Sequence, residues 1–127
     1  MMKITITPSS NASMVSSLRT NKKEILHAGL NGVRKGIEAI YVDSQKSVPV
    51  KTGALKSSGS YNTQIEDYVV TGIVSYGNDT LNPATGKPTK DYAIDVEETH
   101  KFLANTFIDN SSSCMEIIQE EIKSVIN

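Results

Sequence analysis

The segment Val48–Ser58, with the sequence VPVKTGALKSS, divides the chain into a helical part and a strand-rich part. Before it, apolar residues recur at intervals of three and four; after it, β-branched and aromatic residues crowd short runs. Pro49 cannot continue a helix, and it disfavours helical backbone at the residue before it. Gly53 permits a backbone conformation that other residues avoid. The segment therefore predicts a structural hinge between a long helix and a sheet, rather than a reaction centre.

A long amphipathic helix is predicted from near Thr20 to Ser47. Its apolar stripe consists of Leu26, Leu30, Val33, Ile37, Ile40 and Tyr41. Gly29, Gly32 and Gly36 lie along one side of this helix, although each costs up to ~1 kcal/mol relative to alanine in a helix interior. They indicate either the close approach of another helix, including one from a neighbouring subunit, or tolerated glycines on a solvated face. The sequence leaves these two interpretations open.

Three strands and one short helix are predicted on either side of the long helix. Lys3–Thr7 alternates polar and β-branched residues, which indicates a strand. Met14, Val15 and Leu18 suggest a short helix. Ser60–Ile65 and Tyr68–Tyr76 predict an antiparallel hairpin, with Glu66 and Asp67 as the tight connection. A turn of helix is expected from Leu55 to Ser58.

The C-terminal third predicts a loop followed by helical structure. Gly77–Asp91 contains two prolines and two glycines, and a loop of this length is usually functional or disordered. We expect a partner, rather than its own domain, to order it. Tyr92–Glu98 fits a strand or one helical turn. His100–Asn127 is predicted to be helical, with a break at Asp109–Ser113, where Ser113 and Glu116 have capping-box spacing.

These elements predict an α+β fold, with the long helix and the C-terminal helix packed on a small antiparallel sheet in a single domain, 1-127. Only 38% of the 127 residues are hydrophobic and 6% are aromatic, so copies of the chain are expected to complete its burial. The net charge of -1 does not favour wrapping nucleic acid. No stretch approaches the ~20 apolar residues of a membrane span. The single cysteine fits a reducing cytosol.

No catalytic or cofactor-binding constellation is recognisable, and no cofactor or metal is expected. His27, His100 and Cys114 lack the closely spaced ligand pairs of a zinc site. Cys114 is interpreted as a half-buried thiol on a helix rather than a nucleophile, which would need an adjacent base. Thr85–Thr89 lacks the glycine spacing of a phosphate loop, and Pro88 follows its lysine.

Two motifs resemble the tail-completion (head–tail joining) proteins of tailed bacteriophages, the type found in the lambdoid neck. The first is the turn after the long helix, carried by Pro49, Val50, Thr52, Gly53, Leu55 and Ser58. The second is a Tyr-Ala-x-x-Val-Glu box after the hairpin and loop, carried by Tyr92, Ala93, Val96 and Glu97. Phe102–Thr106 loosely matches the final helix of the family. The resemblance covers about residues 4 to 125. It departs from the family at Glu98-Thr99, where a glycine is missing, and in the loop, which is rich in Asn, Thr and Lys.

The resemblance implies a non-enzymatic structural subunit that forms a ring with itself, commonly a hexamer, at the head-proximal end of a tail. Its implied partners are the tail tube or terminator and the neck or connector proteins, with transient, non-specific passage of DNA and no membrane. It would be made in the host bacterial cytoplasm and located in the virion, or in a related phage-tail-like particle. The candidate interface residues are Gly29, Gly32, Gly36, Asn78, Leu81, Asn82, Lys87 and Lys90.

Two alternatives remain at this point. A small enzyme or ligand-binding module would use Gly77–Asp91 as a lid. A nucleic-acid-binding module would use the basic residues Lys22, Lys23, Arg34 and Lys35.

Overall fold

The computed structural model describes residues 3–9, 13–19 and 23–126, with side chains described from residue 23 to residue 125. The elements in chain order are β1 (Lys3–Ser9), β2 (Ser13–Arg19), α1 (Lys23–Ser47), α2 (Ala54–Ser57), β3 (Ser60–Glu66), β4 (Val69–Ser75), a 3-10 turn (Thr89–Asp91), α3 (Ala93–His100) and α4 (Phe102–Ile126). The α+β prediction is confirmed.

The four strands form one antiparallel sheet in the order β1-β2-β4-β3. Along β4, Val70, Gly72 and Val74 are buried and alternate with half-buried residues. A Cβ atom at Gly72 would overlap the side chain of Ile37 and lie 2.8 Å from Val33 Cγ1, both on α1. The long helix therefore lies directly over the inner strand β4, as its apolar stripe predicts.

Helices α1 and α4 pack against each other in opposite directions through two of the α1 glycines. A Cβ atom at Gly32 would lie 2.7 Å from the Cα atom of Ile118, and one at Gly36 would overlap the sulfur of Cys114. The close approach is therefore made by the chain's own C-terminal helix. The expectation that Gly32 and Gly36 contact a neighbouring subunit is wrong for this face, and so is the solvated-face interpretation, because Gly29, Gly32 and Gly36 are all buried.

The short helix predicted at Met14–Leu18 is wrong, because these residues lie in β2. Their spacing fits either period, and pairing decides between them: β2 has β1 on one side and β4 on the other. The tertiary partners thus override a weak local preference. The predicted start of α1 near Thr20 lies outside the described residues.

The hairpin is confirmed, but its turn is shifted by one residue. Asp67 and Tyr68 have φ angles of 51° and 61°, as a two-residue turn between twisted antiparallel strands requires. Tyr68 is therefore in the turn, and the strand begins at Val69. The sequence prediction placed the turn at Glu66 and Asp67, because tyrosine is typical of strands and rare at positive φ.

The C-terminal part is helical throughout, except for one residue. Residues 93–100 form α3 rather than a strand, and Lys101, with φ 51°, separates α3 from α4. The break predicted at Asp109–Ser113 is wrong, because α4 continues from Phe102 to Ile126. Phe107 and Cys114 are buried on either side of this polar segment, so packing holds the helix through it.

The loop between β4 and α3 is held by bonds within the chain. The Asn82 amide donates to the Lys87 carbonyl at 2.8 Å, and the Thr89 amide donates to the Thr80 carbonyl at 2.8 Å. The side chain of Thr89 is fully buried and bonds the backbone of Asn78. The expectation that Gly77–Asp91 needs a partner for its order is therefore wrong; its folded-back shape satisfies its own backbone groups.

Candidate functional site

The first motif forms the hinge that the sequence predicts. Gly53 has a φ angle of 83° and precedes α2, and the Ala54 amide donates to Thr52 Oγ1 at 3.3 Å. Leu55 is buried, whereas Val50 keeps 60% of its surface exposed. The motif thus combines a buried anchor with an exposed apolar residue. The exposed side chain of Val50 is accessible for contact with another surface.

Ser58 ties this hinge to the end of β4. Its hydroxyl donates to the Leu55 carbonyl at 2.6 Å and accepts from the Gly77 amide at 2.8 Å. Asn78 Nδ2 donates to the Ser58 carbonyl at 3.5 Å. A buried serine in this position satisfies polar backbone at both ends of the loop–sheet junction. The motif serine is therefore a positioning residue.

A polar cluster that the sequence analysis missed fixes the hinge to α1. The Tyr76 hydroxyl lies 2.5 Å from Ser44 Oγ and 2.9 Å from Gln45 Nε2, which donates to it. Gln45 also donates to the Lys56 carbonyl at 3.0 Å. Burial raises the pKa of the Tyr76 phenol above 10.0, although its hydrogen bonds with Ser44 and Gln45 oppose that rise. Ser44, Gln45 and Tyr76 form no recognisable sequence motif, so this cluster could not be predicted from the sequence.

The second motif forms the start of α3 and determines how α4 begins. The Glu97 carboxylate accepts from the amides of Leu103 at 3.0 Å and Ala104 at 2.9 Å. These amides belong to the first turn of α4, where they have no partner within the helix, so Glu97 caps α4. Ala93 is buried beside Gly77, where a Cβ atom would lie 2.8 Å from that of Ala93.

The two motifs meet around one cavity of about 340 Å³. Pro49 and Leu55 from the first motif, and Tyr92 and Val96 from the second, supply its apolar walls. The remaining lining residues come from the hinge, the loop and the end of α3: Lys51, Thr52, Gly53, Asn82, Ala84, Thr85 and His100. The cavity is large enough for a small ligand or an inserted side chain.

The predicted loop interface is divided between internal and outward-facing residues. Asn78 bonds Thr89, and Lys90 pairs with Asp79 at 2.6 Å, which raises the pKa of Lys90 and lowers that of Asp79. Lys87 and Leu81 face outward, and Leu81 is 59% exposed. Asn82 belongs to both groups. Its Oδ1 accepts a hydrogen bond from the Ala84 amide at 2.8 Å, and the residue also lines the cavity.

The two histidines and the cysteine belong to three different helices. His27 is exposed on α1, His100 lines the cavity, and Cys114 is buried between helices, where burial raises the pKa of its thiol. Within residues 3–9, 13–19 and 23–126, no three His, Cys, Asp or Glu side chains come together as a metal site would require.

Two basic residues of the nucleic-acid alternative are engaged within the chain, and a third, Lys23, is exposed at the start of α1. Arg34 donates to Asn31 Oδ1 at 2.6 Å, and Lys35 forms an ion pair with Glu121 on α4. Lys22 lies outside the described residues. Among the helices in the described part of the chain, none combines the length and the apolar character that crossing a bilayer requires.

A scan against models of protein families and searches of curated proteins and solved structures found no match to this chain.

Proposed function

We propose that this protein is a structural subunit of a phage tail or a phage-tail-like particle. It forms a ring at the head-proximal end that completes the tail and joins it to the neck or connector. The proposal starts from the two motifs that resemble tail-completion proteins. The observation that supports it is that these motifs line one cavity, although they are about 40 residues apart in sequence. The region around this cavity, where the hinge, the loop and α3 meet, is called the junction below.

The surface around this junction carries apolar side chains without cover in the chain as described. Val50 on the hinge and Leu81 on the loop are 60% and 59% exposed. Both belong to the segments that define the cavity or adjoin it. Isolated exposed apolar residues are common, but two that each adjoin a cavity-lining residue in sequence fit a surface that another protein covers. The tail tube, terminator, neck and connector proteins are the proposed partners.

The proposal is tested by the assembly state and by tail joining. Native mass spectrometry and electron microscopy at high protein concentration should reveal a closed ring of defined copy number. The purified chain should also bind tails prepared from particles that lack it. A chain that stays monomeric and never joins such tails would sink the proposal.

Matched variants locate the joining surface. Val50→Asp and Leu81→Asp should abolish tail joining while leaving circular dichroism and thermal melting close to wild type, since both side chains are exposed. Ile108→Asp on α4 serves as the control and should join normally, because Ile108 is 67% exposed and none of the cavity-lining residues lies on that helix. Equal loss in all three variants would contradict a joining surface at the junction.

A ligand-binding module is the second candidate, because the cavity favours it. Its apolar walls and its Lys51, Asn82 and His100 rim would suit a small amphipathic molecule that carries an anionic group. A thermal-shift screen of small aliphatic and aromatic carboxylates tests this candidate. Stabilisation that Val96→Trp abolishes, but Ile108→Asp does not, would support it; no shift with any such compound would count against it.

A further inference from the structure

Strand β3 lies at one edge of the sheet and has the features of an unprotected edge. In the described chain it pairs only with β4, through seven consecutive partners without a bulge. Its residues are exposed except for the half-buried Thr63. Native proteins usually protect such an edge with lysine, proline or a bulge. The sequence SYNTQIE contains neither residue, and its one charge, Glu66, stands at the end of the strand.

Strand β1 is the opposite edge, and its direction matters. Each neighbouring pair in the order β1-β2-β4-β3 is antiparallel, so β1 and β3 run in opposite directions. If the next copy is placed beside this one in the same orientation, its β1 therefore lies antiparallel to β3. Both strands have seven residues, so they can overlap along their full length. Pro8 of β1, which would stand opposite Tyr61 of the neighbouring copy, has no amide proton to donate, so the ladder would lack any bond that needs it. The sheet can be continued from copy to copy without reversing any strand.

The sheet register determines which residues would face each other. Ile4, Leu18, Val70 and Ile65 form one row across the four strands, and Lys3, Arg19, Val69 and Glu66 form another. With full overlap of β3 and the next β1, Ile65 stands opposite Ile4 and Glu66 opposite Lys3 of the next copy. The charges at the ends of the two edge strands are thus complementary, and opposite-charge cross-strand pairs stabilise a sheet.

We propose that copies of this chain join by pairing β3 of one copy with β1 of the next, which gives one antiparallel sheet shared by the whole assembly. Such an interface is head-to-tail, so it closes into a ring when the rotation between copies allows it. Ring closure then occupies both edges of every subunit. The inference gives a mechanism for the ring described above and rests on that proposed function for the ring's place in a tail.

A two-fold dimer through β3 alone is the competing arrangement. It would place Thr63 opposite Thr63 and Glu66 opposite Ser60, and it would leave the outer edge of β1 unpaired in both copies. It therefore uses neither the complementary charges nor the second edge. For these reasons we commit to the head-to-tail arrangement and test it against the two-fold one.

Engineered disulfides distinguish the two arrangements. In a Cys114→Ala background, Thr5→Cys with Gln64→Cys places one thiol on each edge, opposite each other across the proposed interface. Oxidation at ring-forming concentration should then yield covalent oligomers up to the full ring. Thr63→Cys alone reports the two-fold contact and should remain monomeric on denaturing gels. Circular dichroism and thermal melting of the reduced variants check that each one folds.

The outcomes separate this inference from the proposed function. Covalent oligomers from the double variant, with none from Thr63→Cys, support the inference. A ring that forms and joins tails, yet gives no Thr5–Gln64 disulfide when its variants fold, overturns the inference and leaves the proposed function standing. Efficient dimer formation by Thr63→Cys overturns it as well. A monomer that never joins tails overturns both.

Discussion

Single residues decide how closely the elements of this fold approach each other. Gly36 has no Cβ, and that absence lets α4 place Cys114 against α1. Gly53 has a different reason for being glycine: it has a φ angle of 83° and open space where its side chain would be. Gly36 must be glycine because Cys114 occupies the space of a side chain, whereas Gly53 must be glycine because of its own backbone conformation. Mutagenesis can separate these two causes.

We expect Gly36→Ala to destabilise the protein and Cys114→Ala to abolish the effect. Overpacking in a core costs about 1–3 kcal/mol, whereas alanine gains ~1 kcal/mol over glycine in a helix. In the Cys114→Ala background the sulfur that the new methyl group overlaps is gone, so Gly36→Ala should become neutral or stabilising. Urea unfolding of the four proteins gives the coupling free energy. Gly53→Ala is the control, and the stability that it loses should not depend on residue 114. Additive effects of Gly36→Ala and Cys114→Ala on the free energy of unfolding would contradict the packing argument.

Tyr76 makes stability dependent on alkaline pH. Its pKa is raised above 10.0 by burial in the fold, so the unfolded chain loses the phenolic proton at a lower pH than the folded chain. The contribution is therefore fully present below pH 10 and is lost as the pH rises through the folded pKa. Tyr76→Phe should cost about 1–2 kcal/mol at pH 7, because the bonds to Ser44 and Gln45 are lost. In Tyr76→Phe, the free energy of unfolding should also decrease less steeply with pH above pH 10.

The measurement is urea unfolding at several values between pH 7 and pH 11. Tyr68→Phe is the matched control, since Tyr68 is 52% exposed in the hairpin turn. Cys114 contributes a decline of the same sign, because burial also raises its pKa, and it is present in both variants. An alkaline slope that Tyr76→Phe leaves as steep as that of Tyr68→Phe would rule out this role of the buried phenol.

Elements whose signal is local could be predicted from the sequence, and elements chosen by their partners could not. The stripe of α1, the Pro49–Gly53 hinge and the β3–β4 hairpin follow from spacing and turn chemistry alone. Strand β2 could not be predicted, because its identity depends on β1 and β4 beside it. The glycines along one side of α1 predicted the close approach of another helix. The local sequence does not indicate that this helix is α4.

Ser113 tests the continuity of α4 directly. As an N-cap, which the sequence suggested, its loss in Ser113→Ala would cost about 1 kcal/mol. In a continuous helix at an exposed position, alanine should instead stabilise by roughly 0.5 kcal/mol. We expect stabilisation, and Ser112→Ala, also exposed within α4, should give the same sign. Chemical unfolding measures both; a loss confined to Ser113→Ala would show that a new helix begins there.

At the scale of the whole molecule, the candidate site could be predicted in its parts but not in its assembly. The two motifs were recognisable as strings, and the hinge role of Gly53 follows from its residue type. Their convergence on one cavity depends on the path of the loop, whose internal bonds involve Asn78, Asn82 and Thr89. Glu97 was recognised as a motif residue, but its capping role requires the geometry of Lys101 between α3 and α4.

The open edges of the sheet lead to a prediction about mixtures of variants. In the proposed head-to-tail contact, Glu66 of one copy faces Lys3 of the next. Glu66→Lys and Lys3→Glu each place like charges opposite each other and should weaken assembly by about 1 kcal/mol per interface. A mixture of the two single variants restores opposite charges at both kinds of contact, so it should form rings of alternating subunits. The double variant Lys3→Glu/Glu66→Lys should assemble alone.

Native mass spectrometry of isotope-labelled mixtures measures the composition of these rings. Raising the salt concentration should reduce the differences between variants, because Glu66 is exposed at the end of β3. Lys46→Glu on α1, whose partner Asp43 lies in the same helix at 3.7 Å, controls for net charge. A two-fold β3 contact makes a different prediction, because it does not involve residue 3. Assembly that responds to Glu66→Lys but is indifferent to Lys3→Glu would therefore show that β1 does not form the second half of the interface.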